Sequence, residues 1–203
     1  MTRVYFVRHA QPDHEWKDDR TRPLTAEGVA DSWKVAEFFK KVNIDFFYSS
    51  PYIRSVNTIK GSADCAGKEI RFDERLRERK GGASGKDSYP VLQKRWDDFN
   101  FCEEGGENLS SVQRRNIEAL KEILERHADK SIVVGTHGTA LSVILNFYSN
   151  SFSCEDFLNI LYYFPYIIRL DFDKQRFLGL EELMAIEKQI GVKDGYRMPN
   201  CKS

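Results

Sequence analysis

Long apolar runs are absent from this sequence, and no stretch approaches the roughly 20 consecutive apolar residues that a bilayer-spanning helix needs. Cysteine is also scarce. The chain has four cysteines with no Cys-x-x-Cys pair among them, namely Cys65, Cys102, Cys154 and Cys201. This pattern argues against a disulfide framework, and no apolar leader precedes the first predicted strand. We therefore expect a reduced, cytoplasmic chain.

An excess of charge of either sign is missing too, because Lys plus Arg and Asp plus Glu both number 31. No run of basic residues marks a surface that would follow a phosphate backbone. The composition thus argues against a protein that works by wrapping nucleic acid, and any anion binding must be local. A chain of 203 residues fits one domain, so we predict a single domain over residues 1–203.

Two short apolar runs each lead to a histidine. Residues 4–7 precede Arg8 and His9, and residues 131–134 lead within three residues to His137. Both runs are rich in β-branched or aromatic residues and are too short for independent helices, so they predict buried strands. Because ligands bind at the carboxyl edge of an open parallel sheet, we expect His9 and His137 to share one site.

The rest of the chain predicts alternating helices and strands. Thr25 is the expected N-cap of a helix that runs to about Lys41 and buries Val29, Trp33, Ala36 and Phe39. Further predicted elements are a strand at 45–49, a helix opening at Ser50-Pro51, a strand at 68–72, helices at 109–127, 139–148 and 154–160, and a hairpin of strands at 166–172 and 176–180. The alternation predicts an α/β fold, a three-layer sandwich whose mostly parallel central sheet has helices on both faces and allows one antiparallel edge.

Periodicity is mostly lost between the predicted strand at 68–72 and the helix at 109–127, where glycines interrupt the chain. We predict that residues from about 77 to 107 form an excursion over the carboxyl edge of the sheet, with a helix at 89–99. Its apolar residues are expected in the core, although a lid role stays open; they are Leu92, Trp96 and Phe99. The tail, residues 184–203, is weakly patterned.

Five motifs follow one another in order, each at a predicted strand end or helix start. They are Arg8-His9-Ala10, Ser49 to Thr58, Leu76 to Arg79, Gly105-Gly106-Glu107 and Gly135 to Gly138. Together they resemble the histidine phosphatase superfamily, also called the phosphoglycerate-mutase-like family, over about residues 1 to 180. The resemblance implies the fold of that family and phosphoryl transfer through a phosphorylated histidine.

The chemistry of these residue types agrees with the resemblance. Phosphoryl transfer needs an in-line nucleophile and positive donors around the phosphate, and the neutral imidazole of His9 is a suitable nucleophile. Arg8 and Arg54 would bind phosphate oxygens in a bidentate manner, and His137 would add a third donor. The helix that opens at Pro51 would add backbone N–H groups. Because side chains would supply everything required, no metal or cofactor is expected.

The resemblance places the proton donor at Glu78, which would protonate the leaving alkoxide and later deprotonate the attacking water. Glu78 lies in the charge run 73–80, which is typical of a solvated loop. Other carboxylates therefore stay open as rivals, namely Glu74, Glu103 and Glu107. For Glu107 we expect instead a cap on the first turn of the helix at 109–127.

The sequence favours a phosphomonoester hydrolase. Mutases of the family tend to carry an asparagine in the loop after the nucleophile and a longer excursion after the acid, whereas residues 11–24 contain no asparagine and the excursion is short. A phosphoglycerate-type mutase, a non-catalytic phosphate-binding or signalling module, and a metal hydrolase using His9, His14 and His137 stay open.

Candidate substrate contacts in the loop after the nucleophile are Gln11 and His14. The expected partner is a small-molecule phosphomonoester, with a phosphoprotein left open, and neither nucleic acid nor membrane. Whether the chain is a monomer or a dimer is also open.

Overall fold

The computed structural model describes residues 1–83 and 88–188. Its strands are β1 (Thr2–Arg8), β2 (Phe46–Ser49), β3 (Ile70–Phe72), β4 (Ser131–Thr136), β5 (Tyr163–Asp173) and β6 (Arg176–Glu187). They form one sheet in the order β3-β2-β4-β1-β5-β6. The first four strands of that order run parallel to one another, and β5 and β6 form an antiparallel edge.

The helices of the described residues are α1 (Ala26–Phe39), α2 (Ile53–Cys65), α3 (Tyr89–Asp97), α4 (Leu109–Arg126), α5 (Gly138–Tyr148) and α6 (Cys154–Leu161). A 3-10 turn, Glu74–Leu76, follows β3. Nowhere in 1–83 or 88–188 does a helix combine the length and the apolar character that crossing a membrane requires.

Alternation along the strands divides the core between two faces of the sheet. Val4 and Phe6 of β1 pack with the apolar residues of α4 and α5, whereas Tyr5 and Val7 pack with those of α1 and α2. The sheet is thus covered by helices on both sides. The prediction of a three-layer α/β sandwich with a mostly parallel sheet is confirmed, and the antiparallel edge that it allowed consists of two strands.

Strand register brings the ends of three strands together. Arg8 at the end of β1 lies opposite Thr136 at the end of β4, and Ser49 at the end of β2 lies opposite Gly135. Because β5 runs antiparallel, its beginning reaches the same edge, where Tyr166 lies opposite Arg8. Segments distant in sequence therefore meet at one edge of the sheet.

The buried face of α1 differs from the expectation. Ala36 and Phe39 are buried as predicted, but Val29 is 46% exposed and Trp33 is 59% exposed. The helix turns Gly28 inward instead, where an added Cβ would lie 2.2 Å from the carbonyl oxygen of Gln11. This close approach of backbone to backbone fixes the rotation of the helix, and it leaves Trp33 over α2 on the surface.

Several boundaries also differ from the expected ones. The second helix begins at Ile53 rather than at Pro51, and α3 ends at Asp97. Strand β6 continues through residues 184–187 of the supposedly weakly patterned tail, because β5 is long enough to pair with it there. Residues 189–203 of that tail, which include Cys201, and Gly85 of the excursion lie outside the described residues.

Candidate active site

The two histidines that follow β1 and β4 lie side by side at the carboxyl edge. Their ring centroids are 5.3 Å apart and the ring planes meet at 64°. The His9 backbone N–H donates to the Thr136 carbonyl at 3.1 Å, so the pairing of β1 with β4 continues to the histidine itself. The expectation that strand ends would bring His9 and His137 into one site agrees with this geometry.

Hydrogen bonds define which nitrogen of His9 carries a proton. Nδ1 lies 2.8 Å from the Ala10 carbonyl oxygen, which can only accept, so Nδ1 is the protonated nitrogen. Nε2 therefore carries the lone pair, and it accepts a hydrogen bond from Nε of Arg54 at 3.2 Å. Burial, followed by the charges of Arg54 and Arg8, holds the pKa of His9 well below its usual value. The imidazole is thus neutral, with Nε2 as its nucleophilic atom.

Arg8 is buried beside the histidines. Its Nη1 donates to the carbonyls of Ile160 and Tyr163, and its guanidinium carbon lies 3.8 Å from the centre of the Phe164 ring. Within the described part of the chain, its Nε finds no hydrogen-bond partner. Burial lowers the pKa of Arg8 to about 9, although the Glu78 carboxylate acts in the opposite direction.

Arg54 reaches the site from the first turn of α2, and it is also buried. Besides contacting His9, it forms an ion pair with Asp19, whose Oδ1 lies 3.1 Å from Nη1 of Arg54. Nη1 also donates to the Asp19 carbonyl, and Nη2 lies 3.4 Å from Oδ2. Thr58 ties this helix to the loop after the histidine, because its hydroxyl donates to the Arg54 carbonyl and accepts from the Ala10 N–H.

His137 is fully buried. Its Nε2 lies 2.8 Å from the Ser50 hydroxyl, and among the described residues its Nδ1 has no hydrogen-bond partner. Burial and the charge of Arg54 hold its pKa well below the usual value, so the ring is neutral in the absence of an anion.

The N-terminus of α2 offers a phosphate group fewer backbone N–H donors than expected. The Ile53 N–H at its start already donates to the Arg20 carbonyl.

Glu78 lies at the N-terminus of α5. Its carboxylate accepts hydrogen bonds from the backbone N–H groups of Thr139 at 3.1 Å, Ala140 at 3.2 Å and Arg79 at 2.7 Å. These backbone donors come from two separate segments and fix the position of both carboxyl oxygens. The chain thus holds the carboxylate of Glu78 in one place although it comes from a loop.

The rival carboxylates are held elsewhere by arginines. Glu74 pairs with Arg20, and Glu103 pairs with Arg95. Glu107 binds Arg77 and Arg115 and does not cap α4, since the side chain of Asn108 accepts the hydrogen bond from the Ser111 N–H. The expected capping role of Glu107 is therefore wrong. The described residues that line the cleft containing His9 include Glu78 and none of these three.

That cleft has a volume of about 840 Å³. Its lining includes three basic residues, Lys17, Arg22 and Lys80, and four apolar residues, Leu92 and the residues Phe157, Leu158 and Leu161 of α6. Leu92 also packs against α6 in a small apolar cluster. The excursion therefore contributes both core and cleft wall.

The two candidate substrate contacts have different positions. His14 lines the cleft. Gln11 does not appear in its described lining, and the side-chain oxygen of Gln11 accepts a hydrogen bond from Thr25 at 3.0 Å. Within residues 1–83 and 88–188, no three His, Cys, Asp or Glu side chains lie together as ligands of a metal ion would. His9, His14 and His137 thus do not form a metal site.

Comparison with known proteins agrees with this geometry. The model of the histidine phosphatase superfamily (branch 1) matches residues 4–178. The chain belongs to this superfamily. The match spans both histidines, both arginines and Glu78, and it confirms the family that the five motifs predicted.

The relatives of this chain include proteins named for two activities. A putative phosphoserine phosphatase 2 of Hydrogenobacter thermophilus is 28% identical over 157 residues, which cover 71% of this chain and 77% of that protein. A probable phosphoglycerate mutase GpmB of Salmonella arizonae is 29% identical over 161 residues, covering 72% and 74%. Among solved structures, phosphoserine phosphatase of Entamoeba histolytica in complex with 3-phosphoglyceric acid has a TM-score of 0.73 at 19% identity, covering 93% of this chain and 98% of that one.

Sequence reasoning missed two residues that contact the residues of this site. Phe164 stacks on Arg8 and lies 5.7 Å from His9 between ring centroids. Its position at the start of an antiparallel strand next to β1 is the signal that would have revealed it. Asp19 lies in a charged loop whose sequence carries no such signal.

The free energy of unfolding of the protein is expected to fall as the pH drops from 7 to 5. The folded pKa values of His9 and His137 lie below the unfolded value, so in this range the unfolded chain binds protons that the folded chain does not. Each histidine adds a slope of up to about 1.4 kcal/mol per pH unit. Urea denaturation at several pH values measures this slope. His9→Gln should make it shallower, and an unchanged slope would contradict the lowered pKa of His9.

Proposed function

We propose that this chain is a metal-independent phosphomonoester hydrolase that acts through a phosphohistidine on His9. The observation that carries the proposal is the state of His9, whose neutral ring presents the Nε2 lone pair next to the buried guanidinium of Arg54. A neutral nucleophile among buried cations suits a phosphate dianion, which brings its own negative charge.

In the first step, Nε2 of His9 attacks phosphorus, and the bond from phosphorus to the alcohol oxygen breaks. Arg54 turns its N–H groups from His9 and Asp19 to the phosphate oxygens, and Arg8 offers the Nε–H that has no partner in the described chain. His137 can donate from Nδ1 once the bound dianion favours its protonation. Glu78, in its protonated form, gives its proton to the departing alkoxide.

In the second step, water attacks the phosphohistidine, and the bond between phosphorus and Nε2 breaks. Glu78 takes a proton from that water, so one carboxyl group acts first as acid and then as base. Inorganic phosphate leaves and His9 returns to its starting state. Glu78 is supported for both roles because it lines the same cleft as His9, whereas its rivals are paired with arginines.

Hydrolysis is favoured over the mutase reaction by the solvent exposure of two residues that line the cleft. A mutase must keep its phosphorylated intermediate away from water while the substrate reorients. Lys17 and Lys80, which line this cleft, are exposed to solvent. The substrate that we propose is a small phosphomonoester, with a phosphoprotein as the alternative. We also propose a cytoplasmic location, which the cysteine pattern favours.

Incubation with 3-phosphoglycerate or phosphoserine in the presence of EDTA tests the proposed reaction. Phosphorus-31 NMR should show inorganic phosphate as the product. An isomerised phosphoglycerate would instead establish a mutase, and no change with either ester or with aryl phosphates would favour a non-catalytic module. Activity that EDTA removes would overturn the metal-independent mechanism.

Asp19→Asn is expected to tighten competitive inhibition by inorganic phosphate about threefold to fivefold, since an ion pair whose carboxylate is half exposed to solvent contributes up to about 1 kcal/mol. The Asp19 carboxylate binds the same guanidinium that would bind phosphate, so the anion must displace it. The inhibition constant measures this competition. Asp18→Asn is the matched control, because Asp18 lies in the same loop and bonds Thr21 instead. Equal inhibition constants for Asp19→Asn and the unaltered protein would show that Asp19 does not compete.

A further inference from the structure

The segment that carries Glu78 has little regular structure of its own. It follows the 3-10 turn Glu74–Leu76 and forms no helix or strand between residues 77 and 83. The carbonyl groups of such a segment need partners from elsewhere in the fold. A general acid on a segment of this kind would be poorly placed unless another element fixed its backbone.

One side chain of α4 binds two of these carbonyls and that of Arg75 just before them. Nη1 of Arg115 donates to the carbonyls of Arg75 and Arg77, at 2.6 Å each, and Nη2 donates to the carbonyl of Glu78 at 3.2 Å. A single guanidinium thus binds three carbonyl oxygens on the chain that leads to the acid, including that of the acid itself. The Glu78 carbonyl also accepts from Nη1 of Arg77 at 3.1 Å.

Glu107 in turn fixes the orientation of Arg115. Nε and Nη2 of Arg115 donate to the two carboxylate oxygens of Glu107 at 2.8 Å and 3.0 Å. The same carboxylate accepts from Arg77 and from the Lys80 N–H, so it too contacts the acid-bearing segment. Burial acts to raise the pKa of Glu107, but hydrogen bonds from Arg115 and Arg77 outweigh it and lower the pKa to about 2. The pair therefore stays ionised at any pH at which the enzyme would work.

The pair is also well shielded from solvent. The Arg115 side chain is 12% exposed and that of Glu107 is 13% exposed. Arg115 stands on a helix anchored in the core by its neighbours Asn116 and Ile117, which are buried. An arginine held in this way loses little further freedom when it binds carbonyls, since its planar fork is already oriented.

We propose that Arg115, oriented by Glu107, is a positioning residue for Glu78. Arg115 fixes the backbone of the acid from α4, while the N–H groups of Thr139 and Ala140 at the start of α5 fix its carboxylate. The distance from Glu78 to the leaving oxygen is then set by two helices rather than by the loop. This inference rests on the proposed role of Glu78 as the proton donor.

Arg115→Lys tests the inference because lysine keeps the charge opposite Glu107 but lacks the fork that binds several carbonyls at once. Two substrates of nearly equal shape distinguish a misplaced Glu78 from a loss of folded protein. Phenyl phosphate has a basic leaving group that needs a proton, whereas 4-nitrophenyl phosphate has a leaving group that departs without one. A displacement of the acid by about 1 Å costs on the order of 10²-fold. We expect kcat/KM to fall about 10-fold to 100-fold for phenyl phosphate and less than about threefold for 4-nitrophenyl phosphate.

The neighbouring Arg114 provides the matched control, because its side chain is exposed on the same helix. Arg114→Lys should leave the ratio of the two kcat/KM values unchanged. A merely structural role for Arg115 would lower both values equally by reducing the folded fraction, and that outcome would overturn the inference.

Glu78→Gln, measured on the same pair of substrates, separates failure of the inference from failure of the proposed function. A selective loss with phenyl phosphate in Glu78→Gln but not in Arg115→Lys would refute the positioning role alone. An unchanged ratio in Glu78→Gln would refute the proton-donor role itself, and with it the basis of the inference.

Discussion

His9→Ala is expected to lower kcat/KM for 4-nitrophenyl phosphate by about 10⁴-fold or more, the scale of loss seen when a covalent nucleophile is removed. His9 lines the cleft, and because its Nδ1 is protonated, its Nε2 has a lone pair for attack on phosphorus. Arg8 and Arg54 would still bind the phosphate group, but water would have to attack it without a covalent intermediate. The KM is therefore expected to change much less than kcat.

The measurement combines steady-state hydrolysis in EDTA with acid-free trapping of radiolabelled phosphoenzyme. Label should appear on the unaltered protein and be absent from His9→Ala. His127→Gln serves as the histidine control. His127 lies at the C-terminal end of α4, where it contacts Tyr48, and it is not among the described residues that line the cleft. Substantial hydrolysis by His9→Ala, or label on that variant, would rule out His9 as the nucleophile.

Glu78→Gln is expected to lower kcat/KM for phenyl phosphate by about 10²-fold to 10⁴-fold, the range that general acid–base catalysis contributes. Glutamine retains an oxygen that can accept from one of the backbone N–H groups of α5, so the segment keeps most of its contacts. It cannot protonate the leaving oxygen or take a proton from water. The loss with 4-nitrophenyl phosphate should be much smaller at the phosphorylation step.

Glu74→Gln is the control for this experiment. Glu74 lies four residues before Glu78 in the same charge run, is exposed, and pairs with Arg20 on the surface. The variant should hydrolyse both esters at close to the unaltered rate. A large loss in Glu74→Gln together with normal activity in Glu78→Gln would mean that the acid had been assigned to the wrong carboxylate.

The sheet and the meeting of the two histidines were accessible from sequence because each depends on local signals. Short β-branched runs predict strands, and parallel strands place their carboxyl ends at one edge. The face of α1 was not accessible in this way. Its rotation depends on the fit of Gly28 against the Gln11 backbone, a contact between segments that no helical periodicity reports.

The roles of the carboxylates were only partly accessible. Glu78 and Glu107 both lie in charged, glycine-rich stretches, and the local sequence of each is typical of a solvent-exposed loop. What separates them is the position of Arg115, whose guanidinium binds the carboxylate of Glu107 but the backbone carbonyl of Glu78. Only the packing of α4 against the acid-bearing segment decides this.

The order of strands in the sheet has a consequence for how the chain emerges during synthesis. Strand β4 lies between β1 and β2, so these two have no direct pairing with each other. Until β4 has left the ribosome, β1 lacks both of its neighbours, since its other partner, β5, is made later still. A nascent chain that already contains His9 therefore exposes apolar strand edges and has no site, and it depends on late residues to close the sheet and bring His137 beside the nucleophile.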